Sequence, residues 1–194
     1  MAQPASASKN VIVLIPIGPV WPDLLTWLDS RLVKVLGRHV IVSKGIPLPE
    51  AGYDPRRRQY LGQAILDVLR ALPYPTAGRV LGLTEADCTT PGLNFIFGQA
   101  ALNGREAFVA LPRLRSSFYG LAEAPDLPDW RRRALKECVH ELGHTWGLRH
   151  CRDARCVMHF SNSLLDTDAK GAAFCSRCQR RLEAAGRLAE DGKL

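Results

Sequence analysis

The thirteen residues from Val139 to Cys151 read V-H-E-L-G-H-T-W-G-L-R-H-C, and they restrict the chain more than any other stretch. His140, Glu141, His144, Gly147 and His150 stand at fixed spacings in the pattern H-E-x-x-H-x-x-G-x-x-H. Residues four apart on an α-helix lie about 40° apart around it and about 6 Å along it. His140 and His144 therefore face the same way from adjacent turns, and two imidazoles so placed can hold one metal ion. Glu141 sits on the flank of that face, within reach of a metal-bound water. His150 comes six residues after His144, about 240° further round if the helix continued. It would then point away, so the helix must end between them. Gly147 allows that end, because glycine adopts the left-handed conformation at low cost. The returning chain makes His150 a third ligand. Three protein ligands leave the fourth position of a tetrahedral zinc site open to water. The chain holds five histidines, and three of them fall here, which weighs against a chance cluster on a core helix.

The length of 194 residues suits one domain with a substantial core. We expect residues 1–10 to form a disordered tail and 11–194 to form a single domain. The formal net charge is +7, which admits an anionic partner. The basic residues are scattered, however, with short clusters at Arg56–Arg58 and Arg131–Arg133 that we place at helix starts, and neither is interleaved with aromatics. Nucleic acid is therefore not the expected partner. The apolar run from Val11 to Ile17 is too short to cross a membrane. The N-terminus lacks the basic lead and small-residue cleavage site of a secretory signal. Both points lead us to expect a cytoplasmic protein, and we expect a monomer. In that compartment six cysteines argue for metal binding over disulfides.

Val11–Ile17 suits a strand buried on both faces. Pro22 opens a helix with Leu24, Leu25, Leu28, Leu32 and Val35 inward, and Gly37 ends it. Val40–Val42 forms a second strand. A helix is predicted from about Arg56 to Leu72, with Tyr60, Leu61, Ile65, Leu66 and Leu69 inward. Arg79–Leu83 is a third strand. Strands alternating with helices imply right-handed crossovers and a mostly parallel sheet. Phe95–Phe97 and Ala107–Leu111 read as added strands, one of them an antiparallel edge. Cys88 is placed alone in a loop. Residues 112–128 read as irregular, Pro128 opens the long helix carrying His140 and His144, and a last helix runs from Arg177 to about Glu190. The fold class is thus α/β.

A second constellation follows His150 directly. Cys151 and Cys156 form C-x-x-x-x-C, and Cys175 and Cys178 form C-x-x-C. Two such pairs suit tetrahedral coordination of a structural zinc; two disulfides or four free thiols are the alternatives. Between the pairs stands Met158, in C-V-M-H-F-S.

Taken together, the H-E-L-G-H-T-W-G-L-R-H-C run, Cys156, Met158, Cys175 and Cys178 resemble the archaemetzincin family. Asn94–Ala100 and Val109–Leu114 are similar to that family as well. The resemblance is strong over Arg79–Arg181. It implies a compact metzincin fold: a mixed, mostly parallel sheet, a zinc-binding helix, a Met-turn and a C-terminal helix. It also implies a zinc metallopeptidase with two zinc ions per chain, one catalytic and one held by four cysteines. Met158 would be the Met-turn residue beneath the three histidines. Sixteen residues separate Met158 from Cys175, one fewer than the family pattern, which puts nothing chemical in doubt. The expected partner is a peptide or protein substrate, with Glu141 as general base. Tyr119 is a candidate for a second oxyanion donor, and His159 is left outside the site. The segment Asn94–Ala100 and the strand around Val109 are expected to line the cleft. The rival readings are a catalytically weak or inactive zinc-binding protein of the same fold, and a basic nucleic-acid-binding zinc protein.

Overall fold

The alternation of buried apolar residues along three short strands sets the architecture. Ile12 and Leu14, Leu81 and Leu83, and Ala107 and Val109 enter one core, while Val13, Ile15, Val80, Phe108 and Ala110 enter another. Successive strand residues face opposite sides, so one sheet with both faces covered is the result. The computed structural model describes residues 10–74, 78–122 and 128–184, without the side chains of 128 and 129. The proposed tail, apart from Asn10, lies outside the described residues, as does the last helix beyond Ala184.

The elements are β1 (Val11–Ile17), α1 (Pro22–Leu36), β2 (His39–Val42), β3 (Tyr53–Asp54), β4 (Gln59–Leu61), α2 (Gly62–Ala71), β5 (Arg79–Thr84), β6 (Cys88–Thr89), β7 (Gly98–Ala100), β8 (Glu106–Ala110), α3 (Pro128–Thr145), α4 (Leu164–Ala169) and α5 (Ser176–Ala184). The main sheet has the order β2-β1-β5-β8-β7. All its neighbours are parallel except β7, which runs antiparallel to β8 at the edge. The first core joins α1 and α3 to one face, and the second joins α2 to the other. This is the mixed, mostly parallel α/β sheet expected. Leu24, Leu28 and Leu32 of α1 are fully buried, each contributing about 1.5–3 kcal/mol. Gly37 closes α1 at φ 62°, its N–H donating to Val33 O. Among the described residues no helix is long and apolar enough to cross a membrane.

Four local expectations need correction. α2 starts at Gly62, not Arg56. The Asp54 carboxylate accepts the N–H groups of Arg56 and Arg57 at 2.9 and 3.3 Å, and Arg58 has φ 54°. This turn folds β3 onto β4, so Leu61 ends 43% exposed rather than inward. The edge strand starts at Gly98, not Phe95; Ile96 makes only an isolated bridge to Cys88. Cys88 itself belongs to β6 and is fully buried. Finally, α4 was not foreseen. Its start does carry a signature: Ser163 Oγ accepts the Asp166 N–H at 3.3 Å and donates to the Asp166 carboxylate at 2.8 Å, an S-x-x-D capping pattern.

Candidate active site

α3 packs its inner face on the sheet and presents His140 and His144 from adjacent turns. It ends at Thr145, and Gly147 follows at φ 89°. The chain reverses there. Leu148 N–H bonds to Gly143 O at 3.0 Å, and His150 returns to the other two imidazoles. Ligand-type nitrogens of the three lie within 4.8 Å of one another.

Their hydrogen bonds set the protonation. His140 Nδ1 lies 2.7 Å from Val157 O and His144 Nδ1 lies 2.7 Å from Leu148 O. A carbonyl only accepts, so both Nδ1 atoms carry hydrogen and donate. In the neutral rings both Nε2 lone pairs are then free, and these two atoms stand 3.1 Å apart. Facing lone pairs repel unless a cation lies between them, so the donor set fits a metal ion. Burial lowers the His140 pKa well below its usual value, with Lys170 adding to the effect, and lowers that of His144 to about 4. His150 moves the same way, again chiefly through burial. Neutral imidazole is the ligand form.

Glu141 is buried beside them. Its carboxylate packs against Gly98 of β7, where an added Cβ would stand 2.8 Å from Glu141 Oε1 and 2.6 Å from Phe108 O. Glycine there lets the edge strand approach the glutamate. Burial holds the Glu141 pKa well above the carboxylate range, Glu137 adds to this, and Lys170 opposes it.

Sequence reasoning missed Glu137 and Lys170. Lys170 is fully buried, and its ammonium lies 2.9 Å from the buried Glu137 carboxylate. Lys170 also donates to His159 O at 3.3 Å and approaches His140 Nδ1 at 3.4 Å. Glu137 precedes His140 by three residues and Glu141 by four, so helical spacing placed it on their side of α3. Its partner could not be found that way, because Lys170 lies thirty-three residues on, at the end of α4.

The four cysteines also converge, with their sulfurs within 4.8 Å of one another. All are free thiols, and Cys151 Sγ lies 3.8 Å from Cys175 Sγ. A disulfide would need about 2.05 Å. A tetrahedron with metal–sulfur bonds of about 2.3 Å has edges of about 3.8 Å. The cluster fits a closed metal site. Two donors favour thiolate charge: Arg177 Nη2 to Cys151 Sγ and Cys175 N–H to Cys156 Sγ, both at 3.3 Å. Burial pushes the Cys151 thiol up, yet the Arg177 bond and others bring its pKa down to about 7.

Met158 joins the two clusters. It is fully buried, its sulfur lies against Gly143 between the two helix histidines, and its carbonyl accepts the Cys151 N–H at 2.8 Å. A side chain at Gly143 would collide with that sulfur.

A cleft of about 550 Å³ opens over the histidines. Residues 93 and 95–100 form one wall, while Arg149, Phe160, Ser161 and Asn162 also line it. Val109 does not reach it: β7 covers β8, and Val109 is fully buried in the core. Tyr119 does not line the cleft; its hydroxyl donates to Arg113 O at 3.3 Å. His159 Nδ1 bonds to Cys151 O at 3.1 Å.

The family model for Peptidase family M54 matches residues 38–184. The chain is 43% identical over 172 residues to the archaemetzincin of Methanopyrus kandleri, covering 87% of this chain and 93% of that one. It is 41% identical over 181 residues to the archaemetzincin of Pyrococcus furiosus, covering 90% and 93%. The crystal structure of the Methanopyrus kandleri archaemetzincin superposes with a TM-score of 0.81 at 40% identity, covering 95% of this chain and 99% of that one. That of the Archaeoglobus fulgidus archaemetzincin, complexed with malonate, gives 0.74 at 34% identity, covering 88% and 99%. With a family match over most of its length and relatives this similar, the chain belongs to peptidase family M54, the archaemetzincins, and is a zinc metallopeptidase.

Proposed function

We propose that the chain hydrolyses peptide bonds in this cleft. In this reading His140, His144 and His150 hold a catalytic zinc, Glu141 is the general base, and Cys151, Cys156, Cys175 and Cys178 hold a structural zinc. The observation that carries the reading is the facing pair of Nε2 lone pairs, 3.1 Å apart, with Glu141 beside them at the cleft floor. When bound, zinc supplies Lewis-acid chemistry, acidifying a water and polarising the scissile carbonyl. Glu141 takes a proton from the attacking water and returns it to the leaving amine. Burial raises its pKa, which makes the ionised group a stronger base, and a nearby cation acts in the opposite sense, favouring the carboxylate. The Val157 and Leu148 carbonyls orient two of the imidazoles.

The edge strand supports a substrate pose. Phe97 O accepts Ala110 N–H, and Ala101 N–H donates to Glu106 O. Bonded positions alternate in an antiparallel pair, so the backbone groups of Gly98 and Ala100 face away from β8. An extended peptide can add there as a further strand. Ala100→Pro removes an outward N–H without breaking a bond to β8. It is expected to raise KM several-fold with little change in thermal stability. Proline at Ile96 would be a poorer probe, because Ile96 N–H bonds to Cys88 O at 2.9 Å. The test of the function is hydrolysis of a mixed peptide library by zinc-loaded protein purified under reducing conditions. Cleavage that stops on chelation and returns with zinc is expected. Protein with both zincs that cleaves nothing would be an inactive zinc-binding member of the fold, and the proposal would fall.

A further inference from the structure

Arg149 is the arginine that lines the cleft among its described residues, and it stands between two of the histidines in sequence, next to His150. The turn that bears it is pinned on both sides. Leu148 is buried, its N–H bonds to Gly143 O, and its carbonyl accepts from His144 Nδ1 at 2.7 Å. On the far side Cys151 N–H bonds to Met158 O at 2.8 Å. The backbone that carries Arg149 is therefore fixed relative to the histidines, and its long cationic side chain reaches out from there. Its side chain is exposed, and no hydrogen bond or ion pair holds it among the described residues. Three other arginines are committed, Arg113 to Asp87, Arg115 to Glu85 and Arg133 to Asp168, each through two nitrogens. The carboxylates lining the cleft are committed too, Glu137 to Lys170 and Glu141 buried against Gly98. Apolar side chains make up much of the remaining wall, including Leu93, Phe95, Leu102 and Phe160.

We infer that Arg149 is a specificity-determining residue that binds a carboxylate of the peptide, so that the cleft selects an acidic group beside apolar residues. This rests on the peptide-binding reading above. A guanidinium presents a planar pair of donors that match a carboxylate, and the net charge of +7 favours the approach of an anion. The carboxylate can come from an acidic side chain or from a free C-terminus, and the two are separable by experiment.

The test is direct binding, read by fluorescence anisotropy on zinc-loaded Glu141→Gln protein, with zinc content measured in every variant. The probes share an apolar core. One set carries Glu, Gln or Lys at each position in turn with an amidated C-terminus; another carries Gln throughout and ends in either an amide or a free acid. A Glu peptide, or the free acid, is expected to bind about tenfold or more tightly than its neutral partner. Arg149→Ala should bring that ratio close to one, and Arg149→Glu should invert it in favour of Lys. Preference for Glu identifies a side-chain carboxylate, and preference for the free acid identifies a C-terminus. An unchanged ratio in Arg149→Ala overturns the inference, as does failure of every peptide to bind. If binding depends on Arg149 but the wild-type protein never cleaves, the peptidase reading falls and this inference stands. If the wild-type protein cleaves neutral and acidic peptides alike, this inference alone falls.

Discussion

Glu141→Gln is expected to fold, to keep both metals, and to lose peptide hydrolysis by about 10²–10⁴-fold in kcat. The substitution preserves volume where space is tight, because Gly98 is already held without a side chain against this group. It removes the ability to accept and return a proton, together with the carboxylate charge. Two of the imidazoles do not depend on it for orientation, since His140 and His144 are held by the Val157 and Leu148 carbonyls. Metal content and melting temperature should therefore stay near wild type while kcat falls. Loss of one metal from this variant would make Glu141 a ligand instead. Retained activity would assign the proton transfer to another group.

Lys170→Met is expected to cost about 3–5 kcal/mol of stability, the range for removing one partner of a buried ion pair. Lys170 and Glu137 are both buried, and their charged atoms lie 2.9 Å apart. Without the ammonium, the hydrogen bond left to the Glu137 carboxylate among the described residues is a long one from the Thr167 hydroxyl at 3.4 Å. The damage should reach the metal site, because Lys170 also holds His159 O and borders His140. Denaturant unfolding of zinc-loaded protein reads the loss. The double variant Glu137→Leu/Lys170→Met removes both charges and should recover much of it. If Lys170→Met unfolds at the wild-type denaturant concentration, the pair does not hold this region together.

How much of this was legible in sequence depended on how local the cause was. The three histidines were readable because helical spacing and one glycine fix their convergence, and the observed end of α3 at Thr145 with Gly147 at φ 89° has that cause. The four cysteines were readable as pairs. The central parallel strands β1, β5 and β8 were readable because burial on both faces leaves largely continuous apolar runs. Failures came where a distant group overrode a local pattern. Tyr60 and Leu61 fit the helical period of α2, yet β4 pairs with β3 and β6 and holds them extended. Arg57 looked like part of a basic helix start, but its guanidinium bonds to Asn94 O at 2.8 Å and tethers the wall of the cleft. Nothing local marks Lys170 as buried, and only the fold brings its ammonium to Glu137 of α3. The capping pattern at Ser163 was local and readable, and was overlooked.

The central claim is that two metal sites differ in kind: one open and catalytic, one closed and structural. Zinc counted per chain during graded chelation, alongside melting temperature and hydrolysis, tests it most directly. An open three-histidine site exchanges readily, whereas four thiolates tie their metal to folding. Protein purified under reducing conditions should carry two zinc ions. The first should leave together with all activity while the melting temperature falls little, and the second should leave only as the fold is lost. Cys175→Ser should lose the second zinc and melt well below wild type. A chain with one zinc or none in the cysteine cluster, a fold that collapses with loss of the first ion, or a Cys175→Ser variant that melts like wild type would contradict the two-site account.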